Sequence, residues 1–308
     1  MKGLELARRY YSDIVFPVFM EKAAGAIDSM TFGLAGPGSE CYGFDDEISR
    51  DHDWGPRVCI WIPENLYERQ SGELQKIYNG LKDTYSGFNP VEPLDTRVRR
   101  DGILSAERYY RNFLGSDRPP ETLRDWLLMP EEALSLCSNG AVFKEGSGDF
   151  MVMRKVLLSY FPRDIRLKKI ASRCKAAGQH GQYNLQRAYQ RKDSLAIQFH
   201  KTGFAHEVAS LVYLLSRIYR PYGKWIFRGL DNLGTLGSSV KKYLSNMTVT
   251  NDEKELRSIM EICVKALAEE LLRQNLTSRP GSFLYDYGLE IEMSIEDEFL
   301  RDKLDSIG

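Results

Sequence analysis

No run of this sequence approaches the roughly 18 consecutive apolar residues that a helical membrane span needs, so nothing in it argues for a membrane protein. Charge of one sign is not in excess either. Forty-two basic and 43 acidic side chains leave a formal net charge of −1. That excludes a strong bulk electrostatic drive toward nucleic acid or anionic lipid, while leaving room for a local basic groove. Cysteine is scarce: Cys41, Cys59, Cys137, Cys174 and Cys263 are scattered, odd in number and form no Cys-x-x-Cys. A disulfide framework and a zinc knuckle are both disfavoured, and a reducing cytoplasm is the expected setting. The first residues, Met-Lys-Gly-Leu-Glu-Leu, mix charge into their apolar positions and offer no secretory core. Internal repeats and low-complexity segments are absent.

What is present is an ordinary folding composition, 43% hydrophobic and 28% charged. At roughly 150 residues per domain, its length predicts about two domains. Residues 4–25 carry a three- and four-residue apolar spacing through Leu4, Ala7, Tyr11, Ile14, Val15, Val18 and Phe19, which predicts a helix kinked or divided at Pro17. Met30–Ala35 reads as a short strand feeding the turn Gly36-Pro-Gly-Ser39. A second strand is predicted from near Asp51 through Val58-Cys-Ile-Trp-Ile62. Residues 64–84 follow as a helix, 96–105 as a weaker strand, 105–114 as a helix and 140–144 as a last strand. Beyond about 150 only helical periodicity remains, over 151–160, 164–177, 195–219, 239–246 and 252–274. The expected class is therefore α+β. Strands with flanking helices would occupy 1–149 and an all-helical half 150–308.

The informative stretch is Gly36-Pro-Gly-Ser-Glu-Cys-Tyr-Gly-Phe-Asp-Asp-Glu-Ile-Ser-Arg-Asp-His-Asp-Trp-Gly55. If Asp51 and Asp53 open a strand, their side chains project to one side, roughly 7 Å apart at the backbone. Two such carboxylates can share one or two hard divalent cations, and magnesium so held recruits substrate phosphates. A Gly-Ser turn offers backbone N–H groups and a hydroxyl to phosphate oxygens.

Gly38-Ser39, eleven intervening residues, then Asp51-His-Asp53 resembles the signature of the polymerase-β-type nucleotidyltransferase superfamily, which includes the aminoglycoside nucleotidyltransferases. More narrowly, residues 38–55 resemble an uncharacterised bacterial family of domains of unknown function placed in that superfamily. The similarity extends to Gln182-Tyr-Asn184 and Tyr219-Arg-Pro-Tyr-Gly-Lys-Trp225. The resemblance implies a small mixed-sheet catalytic domain followed by a helical bundle. It also implies Ser39, with Gly38, on a nucleoside triphosphate, and Asp51 and Asp53 on magnesium. The implied reaction moves a nucleoside monophosphate, AMP from ATP by default, to an acceptor hydroxyl with release of pyrophosphate.

The superfamily's third carboxylate has three candidates here, Asp95, Asp101 and Glu107, none in a hydrophobic-Asp-hydrophobic setting. Glu207 could act as the base that deprotonates the acceptor. Lys224 is read two ways: as a phosphate-neutralising point charge, or as a surface lysine over a Tyr219, Tyr222 and Trp225 core. Glu40, Asp45, Asp46 and Glu47 read as a solvated loop, with a second cation or a cationic substrate as the alternative. The basic run Arg163–Arg173 reads as a solvated helix face, or else as a groove for a polyanion. His206-Glu207 has no second histidine four residues on, so a zinc-protease motif fails. Cys41 lacks a histidine base and is not expected to act as a nucleophile. A small-molecule acceptor is expected. A tRNA or protein acceptor, or a degenerate nucleotide-binding module of regulatory or antitoxin type, is the alternative. The acceptor itself and the oligomeric state are not encoded in any feature read here.

Overall fold

The computed structural model describes residues 1–51, 54–81, 84–89, 100–278 and 281–302, with only the backbone of Asp51. The chain divides into two compact units, Met1–Ser159 and Tyr160–Gly308.

The first unit is built on a four-stranded mixed sheet, β1 Thr31–Leu34, β2 Cys59–Ile62, β3 Gly102–Ser105 and β4 Ala141–Lys144, in the order β3-β2-β1-β4. β1 runs antiparallel to β2 and β4, and β2 runs parallel to β3. Every residue of β1 and β2 is buried, as expected of central strands covered on both faces. Alternation along β2 sends Ile60 and Ile62 to one face, where they join Phe32 and Ile103 in a core closed by Tyr10, Val15, Phe19, Leu74 and Tyr78. The other face carries Trp61, stacked on Phe150 at 4.0 Å between ring centroids and edge-on to Tyr109.

Helices α1 (Gly3–Tyr10) and α2 (Phe16–Lys22) are joined by a π-helical turn, Tyr11–Val15. Pro17 lies in the first turn of α2, where a missing N–H is tolerated. Then come α3 (Glu64–Asn79), α4 (Ala106–Leu114), α5 (Leu123–Leu128), α6 (Glu131–Ser138) and α7 (Asp149–Leu158). Ser105 caps α4 by accepting from the Arg108 N–H, and Thr122 with Asp125 closes a capping box on α5. α7 lies inside the first unit, because Phe150 stacks on the sheet and Arg154 bonds the end of α6. The division between units therefore falls after Ser159, ten residues beyond the change of pattern.

The strand expected to begin near Asp51 is shorter than its apolar pattern implied. Asp51 ends a 3-10 turn, Ile48–Asp51, residues 54–58 are not strand, and β2 begins at Cys59. The reason is Pro56, which has no N–H to give a ladder in which β2 is an interior strand. Strand alternation therefore does not place the Asp51 side chain.

The second unit is helical throughout its described residues. α8 (Arg163–Ala177) runs into a π-helical segment, Gly178–Asn184, and then α9 (Leu185–Arg191). α10 (Ser194–Leu215), α11 (Gly234–Val249), α12 (Glu253–Arg273), α13 (Leu284–Glu292) and α14 (Glu298–Asp302) complete it. Asp193 and Asp252 cap α10 and α12. α8 packs chiefly on α10 and α13. Its basic residues do not form the expected solvated face, for Arg166, Lys168, Lys169 and Arg173 are all buried. Arg166 donates to the Leu214 carbonyl at 3.1 Å and to Gln274, Arg173 pairs with Glu207, and Lys168 and Lys175 share Glu292. Buried charges persist only when paired and hydrogen-bonded, and here the partners come from other helices far along the chain.

Candidate active site

The strand directions bring four segments to one end of the sheet. Because β1 is antiparallel to its neighbours, its C-terminal exit, Gly36-Pro-Gly-Ser39, lies beside the entrance to β2 (54–58) and the entrance to β4 (Asn139-Gly140). The entrance to β3 at Asp101 joins them, since Gly102 pairs with Cys59.

The Gly36–Ser39 loop is held from two sides. Gly36, at φ +124°, gives its N–H to the Asn139 side-chain oxygen at 2.9 Å, and its carbonyl accepts from the same amide at 2.7 Å. Asn139 is fixed in turn by buried Arg154, whose guanidinium donates to the carbonyls of Cys137, Ser138 and Asn139 at 3.0, 3.1 and 2.7 Å. Gly140 approaches so closely that a Cβ would stand 1.9 Å from the Leu34 carbonyl oxygen. Asn139→Ala strands both Gly36 groups. The expected loss is about 1–3 kcal/mol, read from the urea midpoint, and an unchanged midpoint would refute the clamp.

From below, Glu40 packs under Gly38, where a Cβ would meet its carboxylate at 2.5 Å. Glu40 is itself buried and accepts from buried Arg57. Asp45, also buried, accepts from the Gly3 N–H at 2.8 Å and the Trp54 indole at 3.2 Å, with the Lys2 ammonium 3.6 Å away. Asp46 accepts from the Ser49 N–H at 3.1 Å, and Glu47 is exposed. The solvated-loop expectation does not hold at Glu40 and Asp45: both are buried, Glu40 against Arg57 and Asp45 Oδ2 against the Gly3 N–H and the Trp54 indole.

Above this support, the N–H groups of Gly38, Ser39 and Glu40 and the Ser39 hydroxyl make no hydrogen bond among the described residues. The 3-10 turn Ser39–Tyr42 instead returns its chain through Gly43 and Phe44 N–H groups to the Glu40 and Ser39 carbonyls. Cys41, beside them, is buried, and burial followed by the Glu40 charge pushes its thiol well up. It remains a protonated thiol, not a nucleophile.

The Asp51 side chain and Asp53 lie outside the described residues, as does Asp95. Among the described residues no three histidine, cysteine or acidic side chains are placed to hold a metal ion. Topology separates the other two carboxylate candidates. Glu107 accepts from the Glu64 N–H at 2.9 Å, at the exit of β2 and the opposite end of the sheet. Asp101 stands at the correct end, buried, accepting from the Tyr78 hydroxyl at 3.1 Å. That hydroxyl also accepts from the Val58 N–H at 3.0 Å. Burial and then the Asp101 charge hold the Tyr78 phenol well above its ordinary value, so it stays a donor to Asp101.

Glu207 and Lys224 belong to the second unit. Burial alone would raise the Glu207 carboxyl, but hydrogen bonds from His206 and Arg173 hold it below its ordinary value. The Arg173 bond is 2.9 Å. A lowered carboxyl already bonded to a guanidinium is a weakened base. Lys224 is exposed, its ammonium 4.8 Å from the ring centroid of buried Trp225. The geometry is that of a surface lysine lying on an aromatic core.

Asn139, Arg154, Arg57 and Tyr78 carry much of the site's construction and were not singled out by sequence. Only Asn139-Gly140 had a local signal, an Asn-Gly turn pair.

A family model described as "Domain of unknown function (DUF4037)" matches residues 126–226. The matched segment contains Gln182–Asn184 and Tyr219–Trp225 and does not reach the Gly38–Gly55 stretch. Among solved structures, the chain is similar to a nucleotidyltransferase-like protein from Exiguobacterium sibiricum 255-15, at 11% identity and a TM-score of 0.34. That match covers 98% of this chain and 96% of the other. No curated protein matches. Among the described residues, no helix is long and apolar enough to cross a membrane.

Proposed function

We propose that the first unit carries out nucleotidyl transfer, moving a nucleoside monophosphate, AMP from ATP by default, to a hydroxyl of a small acceptor with release of pyrophosphate. The observation that carries this reading is the Gly38–Ser39 loop. It is clamped from both sides, yet the N–H groups of Gly38, Ser39 and Glu40 and the Ser39 hydroxyl bond nothing among the described residues. A restrained loop with uncommitted backbone donors and a hydroxyl is an arrangement that phosphate oxygens can accept from. Asp51 and Asp53, twelve and fourteen residues after Ser39, supply hard oxygen donors of the kind magnesium takes, and Asp101, buried at the entrance to β3, is the candidate for the third carboxylate.

In this reading Gly38, Ser39 and Glu40 donate to the phosphate oxygens and hold the α-phosphorus in line with the acceptor hydroxyl. Magnesium on Asp51 and Asp53 would neutralise charge on the attacking and leaving oxygens. Tyr78 keeps Asp101 turned toward the start of β2. Neither Glu207 nor Lys224 enters the reading.

The test is a thermal-melt panel with ATP, GTP, CTP and UTP, each with magnesium or EDTA, beside the Asp51→Asn/Asp53→Asn variant. At a hundredfold excess over Kd the native state should gain about 2.7 kcal/mol, with magnesium only, and the variant should lose that gain. A response without pyrophosphate release would make the chain a nucleotide-binding module that has lost turnover. No response to any nucleotide would sink both readings.

A further inference from the structure

Two buried contacts cross from the loop that leaves β1 to the segment that enters β2. The Glu40 carboxylate is paired with the Arg57 guanidinium, and both side chains are 4% exposed. Asp45 accepts from the Trp54 indole, both residues again buried. The start of α1 seals the junction: a Cβ on Gly3 would stand 2.6 Å from both the Glu40 Cβ and the Trp54 indole nitrogen. Trp54 is further wedged edge-on against Phe88 at 4.9 Å. The acids of this loop thus reach across to the residues that directly follow Asp53 in the chain.

We propose that Glu40–Arg57 and Asp45–Trp54 form a two-strut brace that sets the Gly38–Ser39 loop against the entrance to β2. Glu40, Asp45, Trp54 and Arg57 are positioning residues for the transfer reaction, a role that rests on the nucleotidyl-transfer reading. Eleven residues separate Ser39 from Asp51, and a connection of that length leaves its two ends free to diverge unless something else ties them. Group transfer does not tolerate such slack, since a misplacement of about 1 Å costs roughly a hundredfold in rate. A salt bridge and an indole hydrogen bond, both out of water, supply the tie without occupying the N–H groups of Gly38, Ser39 and Glu40.

The experiment separates positioning from stability. Glu40→Met/Arg57→Met replaces the ion pair by flexible apolar side chains of similar length, a change that buried pairs often tolerate with stability retained. Trp54→Phe, a milder variant, removes only the indole donor while keeping an aromatic ring against Phe88. Each is followed by amide hydrogen exchange of peptides covering 36–45 and 54–60, and by magnesium-dependent nucleotide affinity. The double variant is expected to melt near the unmodified protein while exchange in both peptides rises about tenfold and nucleotide affinity falls about tenfold. Trp54→Phe should move the same readouts in the same direction by less. Unchanged exchange and affinity in a folded double variant, or in Trp54→Phe should the double variant not fold, overturns the brace and leaves the nucleotidyl-transfer reading standing. Failure of the unmodified chain to respond to any nucleotide with magnesium overturns that reading, and the positioning role falls with it even where exchange rises.

Discussion

Arg57→Met as a single substitution is expected to lower the unfolding free energy by about 3–5 kcal/mol, the penalty for leaving one buried charge without its partner. Glu40 would then stand as a lone carboxylate, 4% exposed, beneath Gly38. Restoring neutrality with Glu40→Met in the same chain should recover most of that loss. A urea titration of the two singles and the double closes the cycle, and additivity of the singles would show that the pair is not coupled. The pH dependence has a definite sign. Burial opposes the Arg57 charge, but the neighbouring Glu40 outweighs it and holds the guanidinium above its ordinary value. A base with a raised folded-state value contributes its stability everywhere below the unfolded value and loses it only on passing above. The arginine side of this pair should therefore add no slope between pH 5 and 9.

Glu292→Gln is the corresponding substitution in the second unit, with an expected loss of about 3–5 kcal/mol. Glu292 accepts from both Lys168 and Lys175, and the Lys168 side chain is 2% exposed. The amide keeps the shape but leaves two ammonium groups without an anion. Burial by itself would raise the Glu292 carboxyl, but the hydrogen bonds and charges of Lys168 and Lys175 bring it below its ordinary 4.5. A depressed carboxylate contributes stability that is fully present above the unfolded value and is lost as pH falls through the folded one. Stability of the unmodified chain should accordingly drop as pH passes below about 4.5, and Glu292→Gln should flatten that drop. Parallel acid profiles for the two chains would contradict the assignment.

The elements most legible in sequence were those whose own periodicity decides them. β2 announces itself by a β-branched and aromatic run, and α10 and α12 by long apolar stripes behind Asp caps. The short helices α5, α6, α9, α13 and α14 leave no clear period in the sequence, because five to nine residues seldom show one in full and their stability comes from packing. The inverted reading of α8 has a different cause. A buried lysine is recognisable only by its anion, and the anion of Lys168 lies 124 residues away. The same holds at the site. Gly38-Ser39 and Asp51-His-Asp53 are visible as a local motif, whereas the Glu40–Arg57 pair looks in sequence like one more solvated acid and one more solvated base. The late start of β2 was readable from Pro56 and was masked by the apolar run that follows it.

The π-helical turn at Tyr11–Val15 bears on how chains of this kind should be compared. Leu6, Tyr10, Val15 and Phe19 are all buried, at intervals of four, five and four residues. The five-residue interval spans the wide turn, which takes up the extra residue and returns the helix to phase. A homologue one residue shorter here would carry the same four side chains at a uniform interval of four along an unbroken α-helix. Length differences of one residue before Phe16 therefore mark a helical insertion absorbed in place, and an alignment that spreads such a gap into the strand at Thr31 would misassign every residue of the Gly36–Ser39 loop after it.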